Sequence, residues 1–175
     1  MPSNYIVEPL DPRKHDREAF ICEEKALNDY IRKHANRDSK TDISRCFVIS
    51  TEDNPGIIRG YYTLSATSIS LSTLPPKIAK KLPNRDQVPA TLLGRIARDL
   101  SYKNENVGQH LMYSALHRAR NASLEVASHG IVLDPKNERL AAYYQHYGFF
   151  RIQEGSKSFR MFLPMKDLRS KFIAD

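Results

Sequence analysis

The chain has 175 residues, 41% apolar and 27% charged, the composition of a globular protein and not of a disordered or fibrous one. That length is enough for one domain, expected to run over 1–175 and to bury roughly 70% of its unfolded surface. Lys plus Arg number 27 against 20 Asp plus Glu, a net charge of +7, which favours anionic partners as readily as it favours plain solubility. The two cysteines, Cys22 and Cys46, have no CxxC neighbour and are expected as free buried thiols. The N-terminal stretch carries no apolar core of signal-peptide length, and no run approaches about 18 apolar residues. A cytoplasmic protein outside the membrane is the expectation.

In chain order, "NYIVEPL" reads as a strand ending in the turn "DPRKHD". Helical spacing follows, with Phe20, Leu27, Ile31 and Ala35 on one apolar face and Cys22 inside the helix. "RCFVIST" and "IIRGYYTLSATSISLS" read as strands joined by the Asn54-Pro55-Gly56 turn. "TLPPKIAKKLPNRDQVP" is an exposed loop around one helical turn, and "ATLLGRIARDLSY" is the next strand. Val107 to Ala122 has amphipathic helix spacing, with Leu111, Ala115, Leu116 and Ala119 as its buried stripe. "HGIVLDP" is a central strand. "KNERLAAYYQHYGFF" is a helix closed by Gly148 in the left-handed conformation. "FFRIQ" and "SFRMFLPM" form a closing hairpin before the basic helical tail "KDLRSKFIAD". The order predicts an α/β layered domain.

Two stretches carry candidate chemistry. In "LSYKNENVGQH" a strand passes through a polar turn into a helix whose first N–H groups can bind phosphate. Such a loop needs residues free to enter the left-handed region. Asn104, Asn106 and Gly108 meet that need, since asparagine is the best non-glycine residue there. Lys103 adds a cation. A simple polar turn before a helix would have the same spacing. In "DPKNERLAAYYQHYGFF", Asn137 stands seven residues before Tyr144, two turns away on one predicted helix face. A phenol aimed into a cleft can act as a general acid, although Tyr143, Tyr147, Phe149 and Phe150 are equally the stuff of a core.

Together these stretches, with the strand "LLGRIARDLSY" and the strand "GIVLDP" in their order, resemble the acetyl-CoA core of the GNAT family of N-acetyltransferases. "GYYTLS" (60–65), "LLGRIARD" (92–99) and "RMFLPM" (160–165) look like the acetyltransferase toxins of bacterial type II toxin–antitoxin modules. The resemblance covers most of the chain. It implies the GNAT fold, a mixed central α/β sheet with splayed strands flanked by helices. It implies an acetyl-CoA-dependent enzyme that acetylates the amino group of aminoacyl-tRNA and blocks translation. Implied partners are a ribbon-helix-helix antitoxin, operator DNA reached only through that antitoxin, and a second copy in a homodimer.

The family's pyrophosphate loop follows Gln/Arg-x-x-Gly-x-Gly/Ala. Here Lys103 takes the first position, Asn106 the first glycine and Gly108 the second, so two positions depart from the pattern. The resemblance assigns the acetyl-pantetheine arm to the backbone of Ile96, Ala97 and Arg98, where the toxins commonly carry an apolar residue at the position of Arg98. It assigns the pyrophosphate to Val107, Gly108 and Gln109, with Lys103, Asn104 and Asn106 nearby. Asn137 matches the family asparagine on the pantetheine arm, and Tyr144 the tyrosine that protonates the departing CoA thiolate. An aminoacyl ester amine has a low pKa, so no strong base is required; Glu138 and His146 are weak candidates for one. The six histidines show no metal-ligand spacing, and no metal is expected. Arg85, Arg95, Arg98, Arg118 and Arg120 are candidate tRNA phosphate contacts. Two other readings are a GNAT enzyme for a protein or small-molecule amine, and a catalytically degenerate co-repressor that binds DNA with its antitoxin.

Overall fold

The structure is a computed structural model that describes residues 4–153 and 160–171. Seven strands form one sheet in the order β1-β2-β3-β4-β5-β7-β6: β1 (Tyr5–Pro9), β2 (Arg45–Thr51), β3 (Gly60–Ser70), β4 (Gln87–Arg98), β5 (Gly130–Leu133), β6 (Phe150–Arg151) and β7 (Met161–Pro164). The helices are α1 (Lys25–Lys33), α2 (Ala35–Lys40), α3 (Pro76–Ala79), α4 (Val107–Ala122), α5 (Glu138–Gln145) and α6 (Met165–Lys171). The sheet is mixed. β1–β2 and β2–β3 are antiparallel, β4–β5 parallel, and β5–β7 and β6–β7 antiparallel. The parallel register comprises Thr91↔Ile131 and Leu92↔Val132, and the remainder of β4 lies outside it. No described helix is long and apolar enough to cross a membrane.

By its contacts the chain divides into two compact units, Met1–Ser65 with Leu93–Leu116 and Ala66–Leu92 with His117–Asp175. In the first unit, Phe20, Ile31, Ala35, Val48, Tyr61 and Ala97 belong to one buried cluster. Phe20 was expected on the helix with Ile31, and Cys22 inside it. Both precede α1 in an irregular stretch. There the N–H of Cys22 donates to the Asn28 side chain at 2.8 Å, so side-chain bonds do the work that the predicted helical turn would have done. Phe20 still reaches the same apolar cluster. Periodicity therefore found its burial but not its backbone. Cys22 and Cys46 are free and buried.

The second unit has its own cluster, including Ile69, Leu74, Val88, Val132 and Phe162. β5, "GIVL", is buried at all four positions, which is why it reads as a continuous apolar run and not as an alternation. α5 ends at Gln145, and Gly148 follows at φ 99. A side chain there would be strained by that backbone and would meet Lys171 Nζ at 2.5 Å. The tail forms α6 as expected. Ser158 and Phe159 of the predicted hairpin, and the last four residues of the tail, lie outside the described residues.

α4 begins and ends where the amphipathic spacing put it, and Leu111, Ala115, Leu116 and Ala119 are all buried. Gly60 sets how closely its first turns approach β3. A Cβ on Gly60 would stand 2.7 Å from Leu111 Cδ1, 2.8 Å from the Ala97 carbonyl and 3.1 Å from Val107 Cγ1. Gly60→Ala is therefore expected to lower unfolding stability by about 1–3 kcal/mol, read as the urea midpoint. An unchanged midpoint would show that α4 can shift at no cost.

Candidate functional site

The residues singled out by the sequence fall in both compact units, and each set is built within its own. In the first unit, β4 stops at Asp99. Its buried carboxylate accepts the N–H of Ile21 at 2.9 Å and that of Ser101 at 2.8 Å. Two charge-assisted bonds of this kind hold an irregular segment firmly, and they turn the chain into a single 3-10 turn, Leu100–Tyr102. Lys103 follows, its Nζ 3.4 Å from the Glu23 carboxylate.

Asn106 then adopts φ 58, and α4 begins at the next residue. Asparagine thus takes a left-handed conformation at the position where the family pattern carries glycine. Neither Asn104 nor Gly108 does so. The expectation of left-handed freedom at all three positions is corrected to Asn106 alone, because Gly108 lies within the first turn of α4. The N–H of His110 donates to the Asn106 carbonyl at 3.1 Å. The N–H groups of Val107, Gly108 and Gln109 come before that first helical bond and are available to an anion, at the positive end of the helix dipole.

The turn is braced by residues that no local motif announces. The Tyr5 hydroxyl donates to the Glu105 carbonyl at 2.5 Å. The Glu105 carboxylate pairs with the Arg59 guanidinium, which also lies 4.3 Å above the Tyr102 ring. Arg59 further accepts the Asp99 N–H at its carbonyl, at 2.8 Å. Burial, and after it the charge of Glu105, raise the pKa of the Tyr5 phenol.

On β4, Ala97 is buried against the first unit's cluster. Strand alternation places Ile96 and Arg98 on the opposite face, both half-buried. Arg98 Nε is buried with no hydrogen-bond partner among the described residues. Arg95, half-exposed, lies with its guanidinium 3.6 Å above the Tyr30 ring.

In the second unit, Asn137 is the N-cap of α5, and its Oδ1 accepts the Leu140 N–H at 2.9 Å. It therefore stands just outside the helix instead of on one helical face with Tyr144, as expected. The cap uses its carbonyl and leaves its amide N–H groups for another partner. Tyr144 is buried, with its ring edge-on to Tyr143 and Phe149. Among the described residues its hydroxyl takes part in no hydrogen bond, whereas Tyr143 and Tyr147 share one at 3.0 Å. Burial, and after it the neighbouring Tyr147, push the Tyr144 pKa up to about 12. A phenol so placed is a proton donor throughout the working pH range.

Neither weak base candidate gains from the structure. Glu138 is paired with Arg151, which lowers its pKa, and His146 is exposed. Arg85 is exposed and lines a cavity of about 380 Å³ with Val88, His129 and Arg169. Among the described residues no group of three or more His, Cys, Asp or Glu could hold a metal ion.

No family model matches the chain. It is 33% identical over 172 residues to a probable toxin TacT of Sinorhizobium fredii, across 94% of this chain and 93% of the relative. It is 30% identical over 155 residues to the tRNA-acetylating toxin of Mycobacterium tuberculosis, across 89% of each. Among solved structures, AtaT complexed with acetyl-methionyl-tRNAfMet superposes with a TM-score of 0.88 at 29% identity, over 97% of this chain and 99% of AtaT. A tyrosine-to-phenylalanine AtaT variant, bound to the C-terminus of the antitoxin AtaR and acetyl-CoA, gives 0.79 at 25% identity, over 97% and 99%. The KacTA–DNA complex gives 0.79 at 26% identity, over 98% and 100%.

The raised pKa of Tyr144 has a direct kinetic consequence. Acetyl transfer is expected to show no loss assignable to this phenol between about pH 6 and about pH 10. A falling limb centred near the ordinary phenol value of about 10 would contradict its burial.

Proposed function

This chain belongs to the GNAT acetyltransferase toxins, the family of TacT and the tRNA-acetylating toxin, and on that premise we propose how its own residues carry the reaction. It is an acetyl-CoA-dependent N-acetyltransferase that acetylates the amino group of aminoacyl-tRNA and so blocks translation. Its antitoxin neutralises it, and operator DNA is reached through that antitoxin. The ribbon-helix-helix class of the antitoxin, a cytoplasmic location, a homodimer and a single acetyltransferase domain over 1–175 complete the reading.

The pyrophosphate is held by the N–H groups of Val107, Gly108 and Gln109. Lys103, Asn104 and Asn106 stand in the same turn. The acetyl-pantetheine arm takes backbone bonds from Ile96, Ala97 and Arg98 and an amide contact from Asn137. The neutral aminoacyl amine attacks the thioester carbonyl, so that a C–N bond forms and the C–S bond breaks. Tyr144 gives its proton to the departing thiolate, the amine gives up its own to water, and solvent returns one to the phenol. The low pKa of an aminoacyl ester amine supplies the neutral nucleophile without a protein base, in keeping with the ion-paired Glu138 and the exposed His146.

The observation that carries this reading is Asn106 at φ 58 directly before α4. It supports a working phosphate loop in a chain that lacks the family glycine, and so disfavours the degenerate co-repressor. Labelled acetyl from acetyl-CoA is expected to appear on charged tRNA but not on uncharged tRNA, with Tyr144→Phe reducing the rate about 10²–10⁴-fold. Label on a protein or small amine alone would transfer the reading to another acceptor.

A further inference from the structure

A carboxylate two residues before the free N–H groups of α4 is an obstacle to any anion that docks there. The sequence "KNENVGQ" puts Glu105 in that position. The structure gives the carboxylate one charged partner among the described residues, the Arg59 guanidinium. Arg59 is itself fixed. Its side chain is 14% exposed, its guanidinium is stacked on Tyr102 at 4.3 Å, and its carbonyl is bonded to the Asp99 N–H. The remaining charged pair at the turn, Lys103 with Glu23 at 3.4 Å, leaves Glu105 untouched. Tyr5 binds the Glu105 main chain and not its carboxylate.

We propose that Arg59 is a positioning residue for acetyl-CoA: it neutralises Glu105 and draws its carboxylate to one side, so that the pyrophosphate can dock on Val107–Gln109. This rests on the assignment of that turn to the pyrophosphate. Masking and a purely structural ion pair differ in sign. A structural pair loses when either partner is removed. A mask loses when Arg59 is removed and gains when Glu105 is neutralised, because the acid is the harmful partner and the freed arginine becomes a cation beside the phosphates.

The test is calorimetric binding of acetyl-CoA to the full chain at low salt, with KM for acetyl-CoA and kcat measured in parallel. Arg59→Met is expected to raise Kd and KM roughly tenfold with kcat nearly unchanged. Glu105→Gln should bind as tightly as the parent or several-fold tighter, and the double variant should recover most of what Arg59→Met loses. Should Arg59→Met fail to fold, Glu105→Gln alone still gives the sign, and Arg59→Lys, which keeps the charge, should stay close to the parent. A Glu105→Gln protein that binds several-fold more weakly, or a double variant no better than Arg59→Met, overturns the mask and leaves a structural brace. Gly108→Asp serves as the control on the premise. If it leaves Kd unchanged, the turn is not the pyrophosphate site. If it weakens binding while Arg59→Met does not, the site stands and the mask fails.

Discussion

One backbone conformation governs how the chain enters α4. Asn106 at φ 58 lets the polypeptide leave the turn after β4 and start a helix at the very next residue, with the N–H groups of Val107, Gly108 and Gln109 ahead of its first helical bond. An L-residue other than asparagine or aspartate would resist that conformation, and a helix begun elsewhere would present different donors. The surrounding contacts serve the same point. Asp99 stops β4 and ties the turn to Ile21, Tyr5 holds the Glu105 carbonyl, and Gly60 lets Val107 and Leu111 pack close to β3. Glycine would enter this conformation without steric cost. Here the geometry is reached with a stiffer residue and a bonded frame.

The turn proposed to hold the pyrophosphate is electrostatically mixed. Its sequence holds Lys103, Glu105 and the amide-bearing Asn104 and Asn106, an unpromising set for pyrophosphate when charges are merely counted. Pairing changes the balance. With Glu105 paired to Arg59, the proposal leaves the field at the N–H groups to the helix dipole. The proposed chemistry in the second unit is equally spare. Burial keeps the Tyr144 phenol protonated, and in the proposed reaction the acceptor amine brings its own reactivity.

Much of this was legible in the sequence, and the misses have identifiable causes. The α4 limits, the β2–β3 hairpin and the Gly148 stop follow from periodicity and local steric rules, which act over a few residues. Left-handed freedom was expected at Asn104, Asn106 and Gly108 alike and only Asn106 uses it, because residue type says which positions tolerate that region and not which one enters it. Phe20 and Cys22 were assigned to a helix because apolar spacing records burial and not hydrogen bonding; the Asn28 side chain and the Asp99 carboxylate decide that segment from a distance. Asn137 was placed inside α5 when its short polar side chain makes it the cap. Tyr5 and Arg59 were invisible as site residues, since they lie 100 and 46 positions from Glu105 and no spacing rule spans such distances. Glu105 stands in the sequence of the proposed pyrophosphate turn, but its partner Arg59 is supplied only by the tertiary structure.

The most direct measurement follows the backbone amide resonances of the isotope-labelled protein during titration with acetyl-CoA, and again with an acetyl-pantetheine thioester that lacks the pyrophosphate. The account predicts large shifts at Val107, Gly108 and Gln109 with acetyl-CoA only, and shifts near Ile96–Arg98 and Tyr144 with both. Shifts confined to other regions, or equal shifts at Val107–Gln109 with the truncated thioester, would contradict it.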